Sequence, residues 1–206
     1  MKVKICGLRT EEAVLAAEDA GADFLGFIFY EKSHRHVLPE EVRDLTKHVQ
    51  RAKTVGVFVD APLDEVNAAA DFCSLDFVQL HGHESAAYAR AVCRPVIKAF
   101  RWGDDFSAEE ANDYPAEIIL LDSFSKDAVG GTGQRFRWRE AAEETARLEK
   151  PLLVAGGIAS GNVREAEEVF RPYGVDVSGS LEIEKRKSVE RIREFMAVVQ
   201  KRRVPE

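Results

Sequence analysis

Residues 3–29 read VKICGLRTEEAVLAAEDAGADFLGFIF, and the order of patterns within them decides the fold. A short apolar run from Val3 to Cys6 is followed by Thr10-Glu11-Glu12, the opening of a helix with threonine as N-cap. Ala13, Ala16, Ala17 and Ala20 recur on one side of that helix, Gly21 stops it, and a second apolar run fills Phe24 to Phe29. The alternation then continues along the chain. Further runs lie at Val55–Val59, Phe77–Leu80, Val96–Ala99, Ile118–Leu121, Leu152–Ala155 and Val175–Val177, which makes eight. Their length and β-branched content suit buried parallel strands.

The intervening stretches are helix-like. Pro39-Glu40-Glu41 and Pro62-Leu63-Asp64-Glu65 each open a helix with proline in the first turn, and 161–170 and 188–201 supply the last two. After Val96-Ile97 the helical pattern is broken by Trp102-Gly103-Asp104-Asp105 and by Asp113-Tyr114-Pro115. Eight strand–helix units of roughly 20–30 residues imply a closed (β/α)8 barrel, the TIM-barrel arrangement of the α/β class. An open doubly wound sheet is the competing arrangement, but so few residues leave little room for its usual additions. With no linker or low-complexity segment, residues 1–206 are expected to form a single domain.

Composition narrows the function classes. The 206 residues are 45% hydrophobic and 32% charged with a net charge of -7, which gives no reason to expect a nucleic-acid partner. No segment approaches the roughly 18 consecutive apolar residues of a membrane span, and the start lacks a signal-peptide pattern. The three cysteines, Cys6, Cys73 and Cys93, are odd in number and lack metal-ligand spacing, as expected of reduced thiols in a cytoplasmic protein. Cys73 and Cys93 read as members of helical stretches away from the working face.

In such barrels the working face lies at the carboxyl ends of the strands, so polar residues that follow each apolar run are candidates. They are Cys6, Gln79 and His81, Lys98 with Arg101, Asp122, Gly156-Gly157, and Asp176 with Ser178-Gly179-Ser180. The two glycine-containing turns follow strands 7 and 8, where these barrels often bind phosphate through backbone N–H groups. Tight strand-to-helix turns are the plainer reading of both. Asp122 reads first as a helix cap or turn residue and second as a catalytic acid, and Cys6 first as a small buried apolar residue and second as a reactive thiol. His81 suits acid–base work or a pocket wall. Arg35, in the loop after strand 2, suits solvent or a substrate carboxylate. Gly130-Gly131-Thr132-Gly133 reads as a mobile loop beside the site.

Taken in order, several motifs resemble the phosphoribosylanthranilate isomerase family of tryptophan biosynthesis. They are Lys4-Ile5-Cys6-Gly7-Leu8, Gly26-Phe27-Ile28-Phe29 with Ser33 and Arg35, Val78-Gln79-Leu80-His81-Gly82, and Leu121-Asp122-Ser123. Gly130-Gly131-Thr132-Gly133 with Phe136 and Trp138, Ala155-Gly156-Gly157-Ile158, Asn162-Val163 and Val175-Asp176-Val177-Ser178 continue the set over nearly the whole chain. The resemblance implies an Amadori rearrangement of a phosphoribosyl-anthranilate to a carboxyphenylamino-deoxyribulose phosphate, with neither metal nor organic cofactor. It implies Asp122 as the general acid that opens the ribose ring and Cys6 as the general base that removes the C2′ proton. Arg35 would hold the anthranilate carboxylate, Asp176 would lie near the sugar, Gln79 and His81 would contact the substrate, and Gly156, Gly157, Ser178, Gly179 and Ser180 would hold the phosphate. The partner is then a small phosphosugar, and the protein a monomer or homodimer. Proton abstraction requires a thiolate, so a lowered Cys6 pKa is expected.

Some positions depart from the family pattern. Ser178-Gly179-Ser180-Leu181-Glu182 stands where Ser-Ser-Gly-Val-Glu is usual, and Ile183-Glu184-Lys185-Arg186-Lys187 replaces a Pro-Gly-Lys-like turn, leaving that loop's geometry open. Arg137 replaces an acidic residue and Glu31 a proline. Two other readings remain: the related isomerase of histidine biosynthesis, which is expected to use two aspartates rather than Cys6, and a non-catalytic phosphometabolite-binding barrel.

Overall fold

A computed structural model describes residues 1–103, 105–122 and 133–201, with the side chains of 133–137 left out of the description. The eight apolar runs form eight parallel strands: β1 Lys2–Cys6, β2 Phe24–Ile28, β3 Lys53–Phe58, β4 Phe77–Leu80, β5 Val96–Arg101, β6 Ile118–Asp122, β7 Leu152–Ala155 and β8 Gly174–Val177. Each pairs with the next and β8 pairs with β1, which closes the barrel. The helices are α1 Glu11–Asp19, α2 Pro39–Leu45, α3 Leu63–Phe72, α4 Ala86–Arg90, α5 Ala108–Asp113, α6 Gly133–Thr145, α7 Val163–Phe170 and α8 Val189–Gln200. The fold class read from the sequence is the one found.

Local chemistry explains the boundaries. Thr10 caps α1 by accepting the Ala13 N–H, and Ser188 does the same for α8 through Arg191. Pro39 occupies the first turn of α2 as expected, whereas Pro62 sits one place earlier, at the N-cap of α3. The broken pattern after β5 leaves α5 only six residues. Cys73 is the C-cap of α3, but Cys93 lies past the end of α4, exposed on the turn into β5, not in a helix. The Gly130–Thr132 segment lies outside the described residues.

Side chains on a strand alternate between its two faces, and in a closed barrel those faces are inside and outside. Val3, Ile5, Leu25, Phe27, Val78, Leu80, Ile119, Leu121, Val175 and Val177 join the layer packed beneath the helices. Phe24, Val55, Ile97, Ala99, Ile118, Leu120, Leu153 and Ala155 form a second, separate cluster that fills the interior. The inner parity also contains Lys4 and Cys6 on β1, Gln79 on β4, Asp122 on β6 and Asp176 on β8. Lys98 has the outer parity. It is buried between Gly82 O and Glu84, 2.7 Å from each, and does not reach the barrel mouth. The strand-end position that made it a candidate therefore misled, and its alternation with Ile97 and Ala99 explains why.

Beyond β8 the chain makes a 3-10 turn at Gly179–Leu181 and then a hairpin of β9 Glu182–Ile183 and β10 Arg186–Lys187. Glu184 and Lys185 join its strands with φ of 49° and 62°. This is a two-residue turn built without glycine, in a region L-residues seldom adopt.

Candidate active site

The inner-parity residues at the strand ends surround a cavity of about 570 Å³ at the carboxyl face of the barrel. Its volume falls within the range of small-molecule sites. Eleven of the residues singled out from the sequence line it: Cys6, Arg35, Gln79, His81, Asp122, Gly156, Gly157, Asp176, Ser178, Gly179 and Ser180; Lys98 and Arg101 instead line a neighbouring hollow beside Phe106 and Tyr114. Ile28, Val57, Ala155 and Ile158 supply its apolar wall.

Cys6 ends β1 and is 5% exposed. Gly26 on the neighbouring strand makes room for it, since a Cβ there would stand 2.9 Å from the sulfur. Burial pushes the Cys6 thiol above its ordinary pKa, and Asp176 adds to this, while the Lys4 ammonium and more weakly Lys187 pull it down. The net direction is upward, against the lowered value expected from the sequence, because the thiol has left water more completely than the cations compensate.

Lys4 lies two residues before Cys6 on the same face, fully buried, with its Nζ 2.9 Å from Asp176 Oδ1. Burial works to lower the Lys4 pKa, but the negative charges of Asp176 and the Cys6 thiolate outweigh it, and the ammonium is held above its ordinary value. Sequence reasoning passed over Lys4 as part of a strand, although its parity with Cys6 was readable.

Across the cavity, Gln79 Nε2 stands 2.9 Å from His81 Nδ1. With the amide oriented to donate, the neutral imidazole carries its proton on Nε2, which is 4.0 Å from Asp122 Oδ2. Burial lowers the His81 pKa, opposed by the Asp122 charge, so the ring is neutral near pH 7. Among the described residues the buried Gln79 Oε1 has no hydrogen-bond partner, and a ligand hydroxyl would satisfy it. Asp122 is half-buried at the end of β6, where its backbone carbonyl accepts from Trp102.

The stem of Arg35 crosses Gly7, where an added Cβ would fall 2.4 Å from Arg35 Cδ. Its Nε and Nη2 donate to the two oxygens of Glu182 at 2.5 and 2.9 Å, and Lys187 Nζ donates to Glu182 at 2.7 Å. Burial works to raise the Glu182 pKa, but these donors prevail and hold the carboxyl down at about 2. Sequence reasoning missed Glu182 and Lys187 as partners, because the Arg35–Glu182 contact spans 147 positions and leaves no local signature.

Gly156 and Gly157 have φ of 87° and 73°, so the turn after β7 requires glycine for its backbone as well as for access. Ser178 Oγ donates to Cys6 O and Ser180 Oγ to Ile158 O. These hydroxyls tie the loops of β1, β7 and β8 together. Gly179 does not take a positive φ, and its Cβ position is 3.5 Å from Arg35 Nη2, so its glycine is not forced by backbone geometry. Among the described residues no cluster of three His, Cys, Asp or Glu could hold a metal, and no helix is long and apolar enough to cross a membrane.

Comparison with known proteins agrees over nearly the full length. A Geobacter sp. (strain M21) protein named N-(5'-phosphoribosyl)anthranilate isomerase is 47% identical over 205 residues, covering 97% of this chain and 98% of the relative. The crystal structure of phosphoribosyl anthranilate isomerase from Thermotoga maritima is similar with a TM-score of 0.87 and 34% identity, over 97% of this chain and 98% of that one. A phosphoribosyl anthranilate isomerase in complex with reduced 1-(o-carboxyphenylamino)-1-deoxyribulose 5-phosphate is similar with a TM-score of 0.84 and 32% identity, at the same coverage. Residues 3–198 match the family described as N-(5'-phosphoribosyl)anthranilate isomerase, and the chain belongs to that family.

Proposed function

We propose that this protein converts N-(5-phosphoribosyl)anthranilate to 1-(2-carboxyphenylamino)-1-deoxyribulose 5-phosphate in tryptophan biosynthesis. The observation that carries the reading is one cavity in which Cys6 and Asp122 end different strands, with Arg35 and the two glycine turns at its rim. Asp122 protonates the ribose ring oxygen and opens the ring to a Schiff base. Cys6 then takes the C2′ proton, and the C–H electron pair forms the enamine, which tautomerises to the ketone. The iminium acidifies that proton, so the substrate carries its own electron sink. Its positive charge also favours the thiolate that burial opposes, which couples the second step to the first.

Arg35 holds the anthranilate carboxylate, and Gln79, His81 and Asp176 hold and orient the sugar. Because both serine hydroxyls face carbonyls, the phosphate is held by backbone N–H groups of Gly156, Gly157, Ser178, Gly179 and Ser180. A cytoplasmic site of action agrees with free thiols at Cys6, Cys73 and Cys93. The test is loss of anthranilate-type fluorescence when purified protein meets the substrate without added metal. Cys6→Ser and Asp122→Asn should each lower kcat by about 10²–10⁴-fold while the far-UV signal of the fold persists. Normal turnover by both variants would overturn the assignment.

A further inference from the structure

We infer that Lys4 is the positioning residue that sets the reactivity of Cys6, its buried ammonium acting as counter-charge to the thiolate and shared with Asp176. The inference rests on the reading of Cys6 as the base. Its first support is placement. Lys4 and Cys6 have the same parity on β1, and Lys4 is paired in register with Phe24 on β2 and Asp176 on β8. Apart from the polar residues that line the cavity, the barrel interior is an apolar filling that includes Phe24, Val55, Ile97, Ile118 and Leu120. A methionine or leucine would fill that space without the cost of removing an ammonium from water, so packing does not account for a lysine.

Its second support is the charge inventory around the sulfur. The groups that act on it are Lys4 from β1, Asp176 from β8, Lys187 from β10 and Arg35 from the loop after β2. Lys187 and Arg35 are both tied to Glu182, which absorbs much of their charge. Lys4 is the strongest of the pulls toward thiolate, and Asp176 opposes it. When Cys6 takes the C2′ proton, an S–H bond replaces the C–H bond and the pair passes to the enamine. Lys4 then loses its thiolate partner and keeps Asp176, so the ammonium stays paired throughout.

The experiment follows alkylation of Cys6 by iodoacetamide against pH in the intact protein, with the Cys6 peptide quantified by mass so that Cys73 and Cys93 do not contribute. Lys4→Met should move the thiol titration up by about one unit or more, a roughly tenfold slower alkylation below the pKa. Asp176→Asn should move it the opposite way, and Lys4→Met added to Asp176→Asn should move it back up. The last pair keeps the test valid where Lys4→Met alone, with its orphaned carboxylate, does not fold. The acid limb of kcat/KM should shift with the thiol. Unchanged titration in both lysine variants would overturn the inference even if the wild type turns over. Absence of turnover by the wild type would instead sink the reading of the reaction.

Discussion

Gly26 and Arg35 show how single side chains hold the geometry. A methyl group on Gly26 would meet Cys6 Sγ, Cα and Cβ at 2.9, 3.1 and 3.2 Å, and the last two atoms cannot yield without moving β1. Gly26→Ala is expected to cost about 1–3 kcal/mol of stability and to lower kcat/KM about a hundredfold as the thiol shifts. A thermal melt beside steady-state kinetics separates the two effects, and wild-type kcat/KM would mean the thiol has slack. Arg35 engages Glu182 through two nitrogens of its planar fork, a geometry lysine cannot copy. Arg35→Lys should therefore raise KM for the carboxylate-bearing substrate roughly ten- to hundredfold, the equivalent of about 1.5–3 kcal/mol, with kcat little changed. A fall confined to kcat would place Arg35 in the chemistry instead of the binding.

Among the elements, the β9–β10 hairpin was the least legible in the sequence and is the most informative in the structure. Its Glu184-Lys185 turn carries no Asn-Gly signal, and Ile183 followed by four charged residues in a row reads as a solvated loop. The structure bends it sharply, and β-pairing of Lys187 with Glu182 sends both side chains toward Arg35. Glu184→Asn with Lys185→Gly supplies the residues such a turn prefers and should raise the unfolding free energy by about 1 kcal/mol, read as a higher urea midpoint. An unchanged or lower midpoint would show that the two positive φ values carry no penalty here. The strands, by contrast, were readable because eight apolar runs recur at regular spacing. Their ends gave the site because the barrel fixes which end works. What the runs did not yield without applying the period of two was the distinction between Lys98, which faces outward to Glu84, and Lys4, which faces inward to Asp176. Partnerships such as Arg35–Glu182 depend on closure of the whole barrel and have no trace in either segment.

For the molecule as a whole, acid stability depends on carboxylates that link distant elements. Glu18, at the end of α1, accepts backbone N–H groups from Gln50, Arg51 and Ala52 ahead of β3. Burial works to raise its pKa, but these donors prevail and lower it; Glu182 is lowered likewise, to about 2. A group with a depressed folded pKa stabilises above its unfolded value and loses that contribution as pH falls through the folded one. The contribution of these two carboxylates should thus be complete above about 4.5 and decline as pH falls toward about 2. Glu18→Gln should lower the melting temperature at pH 7 and flatten the acid decline, as followed by thermal melts across pH. An equally steep decline in the variant would assign acid sensitivity elsewhere. The two-layered barrel has one further consequence, for descent and not for stability. Of the cavity's apolar wall, Ile28 and Val57 belong to neither hydrophobic cluster, Ala155 belongs to the inner one, and Ile158 alone joins the layer beneath the helices. Mutations at Ile28 and Val57 can therefore reshape the mouth without disturbing the outer wall, so a lineage can explore new substrates while inheriting its scaffold intact.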